Sequence, residues 1–88
     1  MIIKKYVDVV ATFCENGVYP KELIWEDGTR YTIECSYDVR PSCSIRAGGQ
    51  GDRYTIRING KERYLFFEHA AKRYDPTLGR WFVEYTAQ

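Results

Sequence analysis

The chain has 88 residues, 44% of them apolar, 16% aromatic and 28% charged; thirteen Lys and Arg against twelve Asp and Glu leave a net charge of +1 with the single His neutral. It is too apolar and aromatic for a disordered segment. It has no run of ~18 apolar residues for a spanning helix, and Lys4, Lys5 and Asp8 break up any signal-peptide core at its start.

At this length residues 1–88 read as one domain with one compact core. Residues 2–13 predict a first strand, with Val7, Val9, Ala11 and Phe13 on one face at period two. Glu15-Asn16-Gly17 supplies a turn, and residues 21–26 a short second strand. Asp27-Gly28 is a strong hairpin signal. Residues 29–39 alternate most cleanly: Tyr31, Ile33, Cys35, Tyr37 and Val39 face one way, and Arg30, Thr32, Glu34, Ser36 and Asp38 the other.

Residues 40–52 carry Pro41 and three glycines and predict a loop, with a short bridge near Ile45. Residues 53–58 form the next strand, with Tyr54, Ile56 and Ile58 on one face; Asn59-Gly60 turns the chain into a return strand at 61–68. His69 to Arg73 fits either one helical turn or a strand extension, and Asp75 to Gly79 a turn. Residues 80–85 are the last strand.

A bulged turn at Asn59-Gly60 would pair Ile56 with Tyr64 and Tyr54 with Phe66. The same shift at Asp27-Gly28 would pair Trp25 with Tyr31 and Leu23 with Ile33. Both set apolar opposite apolar, so both registers are expected, with Gly28 and Gly60 left-handed. The fold class that follows is all-β: a small antiparallel, partly open barrel of five to six strands, SH3-like or OB-like. Trp25, Trp81, Phe66 and Phe67 are the expected aromatic anchors, although adjacent Phe66 and Phe67 must face opposite ways.

Three cysteines, Cys14, Cys35 and Cys43, are too few and too unevenly spaced for a disulfide scaffold. They read as reduced thiols of a cytoplasmic protein, with Cys14 and Cys35 as packing residues. No ligand spacing supports a metal, and no cofactor motif is present. The Gly-rich stretch Ala47 to Asp52 lacks the following helix and the Lys-Ser or Lys-Thr of a phosphate loop, which leaves only a backbone anion nest. The catalytic inventory reduces to a Cys43–His69 pair, so a non-enzymatic protein is expected.

Charge is unevenly spread. Residues 8–38 hold seven acids and two bases, whereas residues 40–63 hold six bases and two acids. Arg40, Arg46, Arg53 and Arg57 form an Arg-rich stripe suited to phosphate or carboxylate forks. Tyr37, Tyr54 and Tyr64 lie close by in sequence to stack on bases, Tyr54 within the stripe itself. The competing reading is a solvated face whose charges pair across strands.

The strings LIWEDGTRYTIE, RYTIRINGKERYLFFE and GRWFVEY resemble a group of small bacterial all-β domains of unknown function. Those domains carry a Trp-x-x-Gly-x-x-Tyr hairpin, here Trp25, Gly28 and Tyr31, and end Arg-Trp-Phe-x-Glu, here Arg80 to Glu84. The resemblance implies an SH3-like barrel of the bacterial cytoplasm and carries over no activity. The expected function is a binding module for nucleic acid or another polyanion. The alternative is a protein-interaction module or homodimer that uses an exposed aromatic patch or a sheet edge. No membrane partner is expected.

Overall fold

The computed structural model describes residues 2–44, 49–69 and 79–86. They form β1 (Ile2–Cys14), β2 (Gly17–Ile24), β3 (Arg30–Thr32), β4 (Cys35–Ser44), β5 (Gly49–Ile58), β6 (Lys61–His69) and β7 (Gly79–Thr86). All pairings are antiparallel, in one sheet of order β3-β2-β1-β7-β6-β5-β4 that curls into a half-barrel. The all-β, barrel-like class is as expected. The strand count is seven rather than five or six, because the run at 29–39 is cut in two.

The cut is what curls the sheet. Ile33 N–H donates to the Lys21 carbonyl of β2 at 2.9 Å, and the next residue, Glu34, donates to the Arg57 carbonyl of β5 at 2.8 Å. The chain therefore leaves one edge of the sheet and joins the other within two residues. Alternation does not survive this bend. Ile33 is buried, but Cys35, Tyr37 and Val39 are exposed. A second irregularity, with Asp38 at φ 51°, shifts the β4–β5 register between Tyr37 and Arg40.

Residues 40–52 are not a loop at both ends: Arg40 to Ser44 pair with Gly49 to Arg53. Pro41 is tolerated because β4 is an edge strand, where a missing N–H costs no ladder bond. Ile45 lies outside the described residues, as do residues 70–78, which hold most of the segment with the open helix-or-strand choice. β2 starts at Gly17, four residues before the expected strand, and Pro20 pairs with Ala11 beside the register shift between Val10 and Ala11.

Both hairpin registers differ from expectation. Asn59 and Gly60 have φ of 51° and 76°, a two-residue turn with both residues left-handed. It pairs Ile58 with Lys61, Ile56 with Arg63 and Tyr54 with Leu65. At the other hairpin Gly28 has φ 89° and closes a three-residue loop, Trp25 N–H donating to the Thr29 carbonyl at 2.8 Å. Leu23 therefore faces Tyr31. The tight β5–β6 turn wins because it brings Leu65 and Phe67 onto the same face as Tyr54 and Ile56, all of them buried.

That concave face holds the core: Leu23, Ile33, Tyr54, Ile56, Leu65, Phe67 and Trp81, flanked by half-buried Val7, Val9, Ala11 and Trp25. Phe13, expected to continue the β1 stripe, is exposed. Cys14 and Cys35 are free and exposed rather than packed. The convex face carries a cluster that the strand patterns do not announce. Phe82 points away from Trp81 and is only 1% exposed. Phe66 stacks on it at 4.9 Å, Tyr6 meets it edge-on at 5.9 Å, and the Lys4 ammonium sits 4.3 Å over its ring. Adjacent Phe66 and Phe67 are thus accommodated on opposite faces.

Candidate functional site

Residues directly opposite one another in paired strands share a face. One row on the convex face therefore runs Arg40–Arg53–Phe66–Phe82–Tyr6 across β4, β5, β6, β7 and β1. The row to one side reads Tyr37–Thr55–Tyr64, and the row to the other Gly51–Glu68–Arg80. Arginines and aromatic rings therefore interleave over one continuous surface. Tyr6 is 42% exposed and Tyr64 54%.

Arg40, Arg53 and Arg57 of the sequence-predicted stripe lie on this face. Arg46 lies outside the described residues. Tyr54 does not belong to it: it is 4% exposed, points into the concave core and tilts against Trp81 at 5.4 Å. A base cannot stack on it. Burial also pushes its hydroxyl pKa up, reinforced by the Asp52 charge. Tyr6, Tyr37 and Tyr64 are the exposed rings of the face instead.

The charges fall into two sets. Arg40 is paired with Asp38 at 2.9 Å, and Arg57 lies 4.0 Å from Glu62. Glu62 also accepts a hydrogen bond from the Tyr37 hydroxyl, which raises the pKa of that hydroxyl. Arg53 and Arg80 are different. The Arg53 guanidinium lies 4.6 Å over Tyr64 and that of Arg80 lies 4.2 Å over Tyr6. Among the described residues neither has a carboxylate within salt-bridge distance, and the buried Nε of Arg53 has no hydrogen-bond partner. A guanidinium spread on a ring with its fork unoccupied can receive a phosphate or carboxylate. Arg80 sits directly before the aromatic pair of β7, far in sequence from Arg40, Arg53 and Arg57, so no local signal joins it to them.

Glu68 lies on the same face, directly opposite Arg80 and against Tyr6. Its carboxylate accepts from the Tyr6 hydroxyl at 2.7 Å and from the Lys4 ammonium at 3.1 Å. Burial works against the charge, but these two hydrogen bonds, with the Lys4 and Arg80 charges, outweigh it and hold the Glu68 pKa below its ordinary value. For Lys4, too, burial opposes the charge, and the bonds to Tyr6 and Glu68 raise its pKa overall. A depressed carboxylate stabilises the fold above its unfolded pKa, and that contribution is lost as pH falls through the folded value. Stability should therefore fall below about pH 5 more steeply in the native chain than in Glu68→Gln. Urea midpoints measured across that range check this, and equal slopes would refute it.

His69, one half of the sequence-suggested Cys43–His69 pair, faces Asp52 at 3.1 Å. The Cys43 side chain lies outside what is described. Among the described residues no three His, Cys, Asp or Glu side chains converge on one point. Also among these residues, no helix is long and apolar enough to cross a membrane.

A cleft opens elsewhere in the sheet. The β6–β7 register runs from His69–Gly79 to Phe66–Phe82 and stops there. Beyond it the strands part, and residues 61–64 face 83–85 across a space of about 680 Å³. Its floor is the apolar end of the concave face, including Leu23, Trp25, Tyr31, Ile56 and Ile58.

Comparison with protein-family models, with curated proteins and with solved structures finds no match to this chain.

Proposed function

We propose that the protein is a non-enzymatic binding module whose convex face takes a polyanion, single-stranded nucleic acid first among them. The observation that carries this reading is the pair of arginines stacked on exposed rings, Arg53 over Tyr64 and Arg80 over Tyr6, with no salt bridge to either among the described residues and with Glu68 as the one acid opposite Arg80. Bases stack on aromatic faces, and guanidinium forks bind the phosphates between them. Arg40 and Arg57 border the field, and their exposed acid partners can be exchanged for phosphate at little cost.

Anisotropy of a labelled mixed-sequence single strand, titrated at several salt concentrations, tests the reading. Arg53→Ala and Arg80→Ala should each weaken binding and flatten the dependence of log K on log salt by about 0.7. Tyr64→Leu should cost about 1–3 kcal/mol of affinity with the salt slope retained. Tyr54→Phe should change nothing, because its ring is in the core. Absence of binding at low salt, or binding indifferent to Arg53 and Arg80, would overturn the proposal.

A second reading has one observation in its favour. β4 is an edge strand of ten residues, with Val39 48% and Tyr37 37% exposed along it. An open edge of this kind pairs with another strand, as in a homodimer or a protein-interaction module. Sedimentation over a concentration series would reveal self-association.

A further inference from the structure

We infer that the cleft between the parted ends of β6 and β7 is a binding site for a small amphipathic anion: an apolar body carrying one carboxylate or phosphate. Three observations converge on this. The first is size and lining: about 680 Å³ over an apolar floor falls within the range of small-molecule sites.

The second is the position of two cations. Strand register puts Arg63 opposite Ile56 and Lys61 opposite Ile58, on the rows that otherwise build the concave core. Both line the cleft. Both residues are solvent-exposed, so their charges stay hydrated while the side chains line the open end of the concave face. Among the described residues neither Lys61 nor Arg63 has a carboxylate within salt-bridge distance, unlike Lys4, Lys5, Arg30, Arg40 and Arg57. Glu62 and Glu84, also at the cleft, occupy the alternate rows that face the convex side.

The third is how the cleft is formed. In a tight two-residue hairpin, residues opposite one another next to the turn exchange both backbone bonds, and every second pair does so. The pairs 58–61, 56–63 and 54–65 of β5 and β6 are of this kind. The backbone groups of Glu62 and Tyr64 are therefore turned away from β5, toward the gap that β7 leaves. They supply amides beside the two cations, a polar rim over an apolar floor. An apolar tail on Trp25, Tyr31 and Ile56, with its anionic head between Lys61 and Arg63, uses all three features at once.

The probe is decanoate below its micelle concentration, with decyl phosphate as the phosphate arm and decanol as the uncharged control. Amide NMR of the full chain reads where each one binds. Decanoate or decyl phosphate should shift residues around Trp25, Ile58, Lys61, Arg63 and Val83; whichever binds more tightly identifies the head group. Decanol should bind at least ~10-fold more weakly, as expected for losing a charge-assisted bond. Lys61→Gln with Arg63→Gln should reduce anion affinity to the level of decanol, and Val83→Trp should block every probe. Circular dichroism would confirm that these exposed or half-buried replacements leave the fold intact. Shifts confined to the convex arginine face, equal binding of decanol and decanoate, or no shifts would each overturn the inference. The convex-face proposal is read by oligonucleotide shifts on a different set of residues, so either can fail alone.

Discussion

Phe82→Ala should lower the unfolding free energy by about 3–5 kcal/mol, the range for removing a buried aromatic ring. That is a large share of the total, since a chain of 88 residues is stable by only about 4–13 kcal/mol. The loss arises on the convex side of the sheet, which in a small antiparallel barrel is ordinarily the wet side. Phe82 reaches 1% exposure there because Phe66 lies parallel to it, Tyr6 meets its edge and the Lys4 stem and ammonium cover its face. Removing the ring opens a cavity that Phe66 cannot fill without leaving its strand. Tyr6, which carries the Arg80 guanidinium, loses its support at the same time. The variant should therefore bind a single strand more weakly even under conditions where it remains folded. Urea denaturation and oligonucleotide anisotropy on one preparation test both parts. A stability change below about 1 kcal/mol would show that the convex cluster contributes little.

Leu65→Ala should cost about 2–5 kcal/mol, with a different functional signature. Leu65 is 0% exposed and stands opposite Tyr54 at the centre of the concave core. Its replacement leaves a void between β5 and β6 on the inner face only. Arg53, Tyr64 and Phe66 remain on the outer face, so oligonucleotide affinity of the folded variant should match the native chain. The pair of variants separates the two faces. If Leu65→Ala weakened oligonucleotide binding as much as Phe82→Ala, the convex platform would not be the surface that binds.

Much of the candidate site was legible in sequence, and some of it was misplaced. Arg53 and Arg57 alternate with Tyr54, Ile56 and Ile58, and the structure keeps the two arginines on one face and the apolar residues on the other. The same alternation should have removed Tyr54 from the stacking candidates, because a residue cannot both complete the apolar face and lie beside the arginines. Arg80 and Tyr6 were out of reach: 74 residues separate them, and only the β1–β7 pairing joins their strands. Charges pairing across strands were the competing expectation; at Arg57 the acid is Glu62 of β6, not one from the acidic run at residues 8–38. Asp38 meets Arg40 from within its own strand, across the irregularity at φ 51°.

Local pattern is enough for most of the strands and for the turns at Gly28 and Asn59-Gly60, but not for the break at Ile33–Glu34 or the strands within residues 40–52. Period-two alternation and positive-φ residues such as Asn59, Gly60 and Gly28 act over a few neighbouring residues, so their effect needs no partner from elsewhere in the chain. Contacts between distant strands set the register of the β5–β6 hairpin, the bend at Ile33–Glu34 and the parting of β6 from β7. A hairpin slipped by one residue has almost the same local energy, and cross-strand pairs worth about 0.2–1 kcal/mol each do not choose between the two. Burial of Leu65 and Phe67 beside Trp81, a residue on the last strand, makes the choice. That long-range choice puts Lys61 and Arg63 on the concave-side rows at the mouth of the cleft, where the bulged register would have put Glu62 and Tyr64.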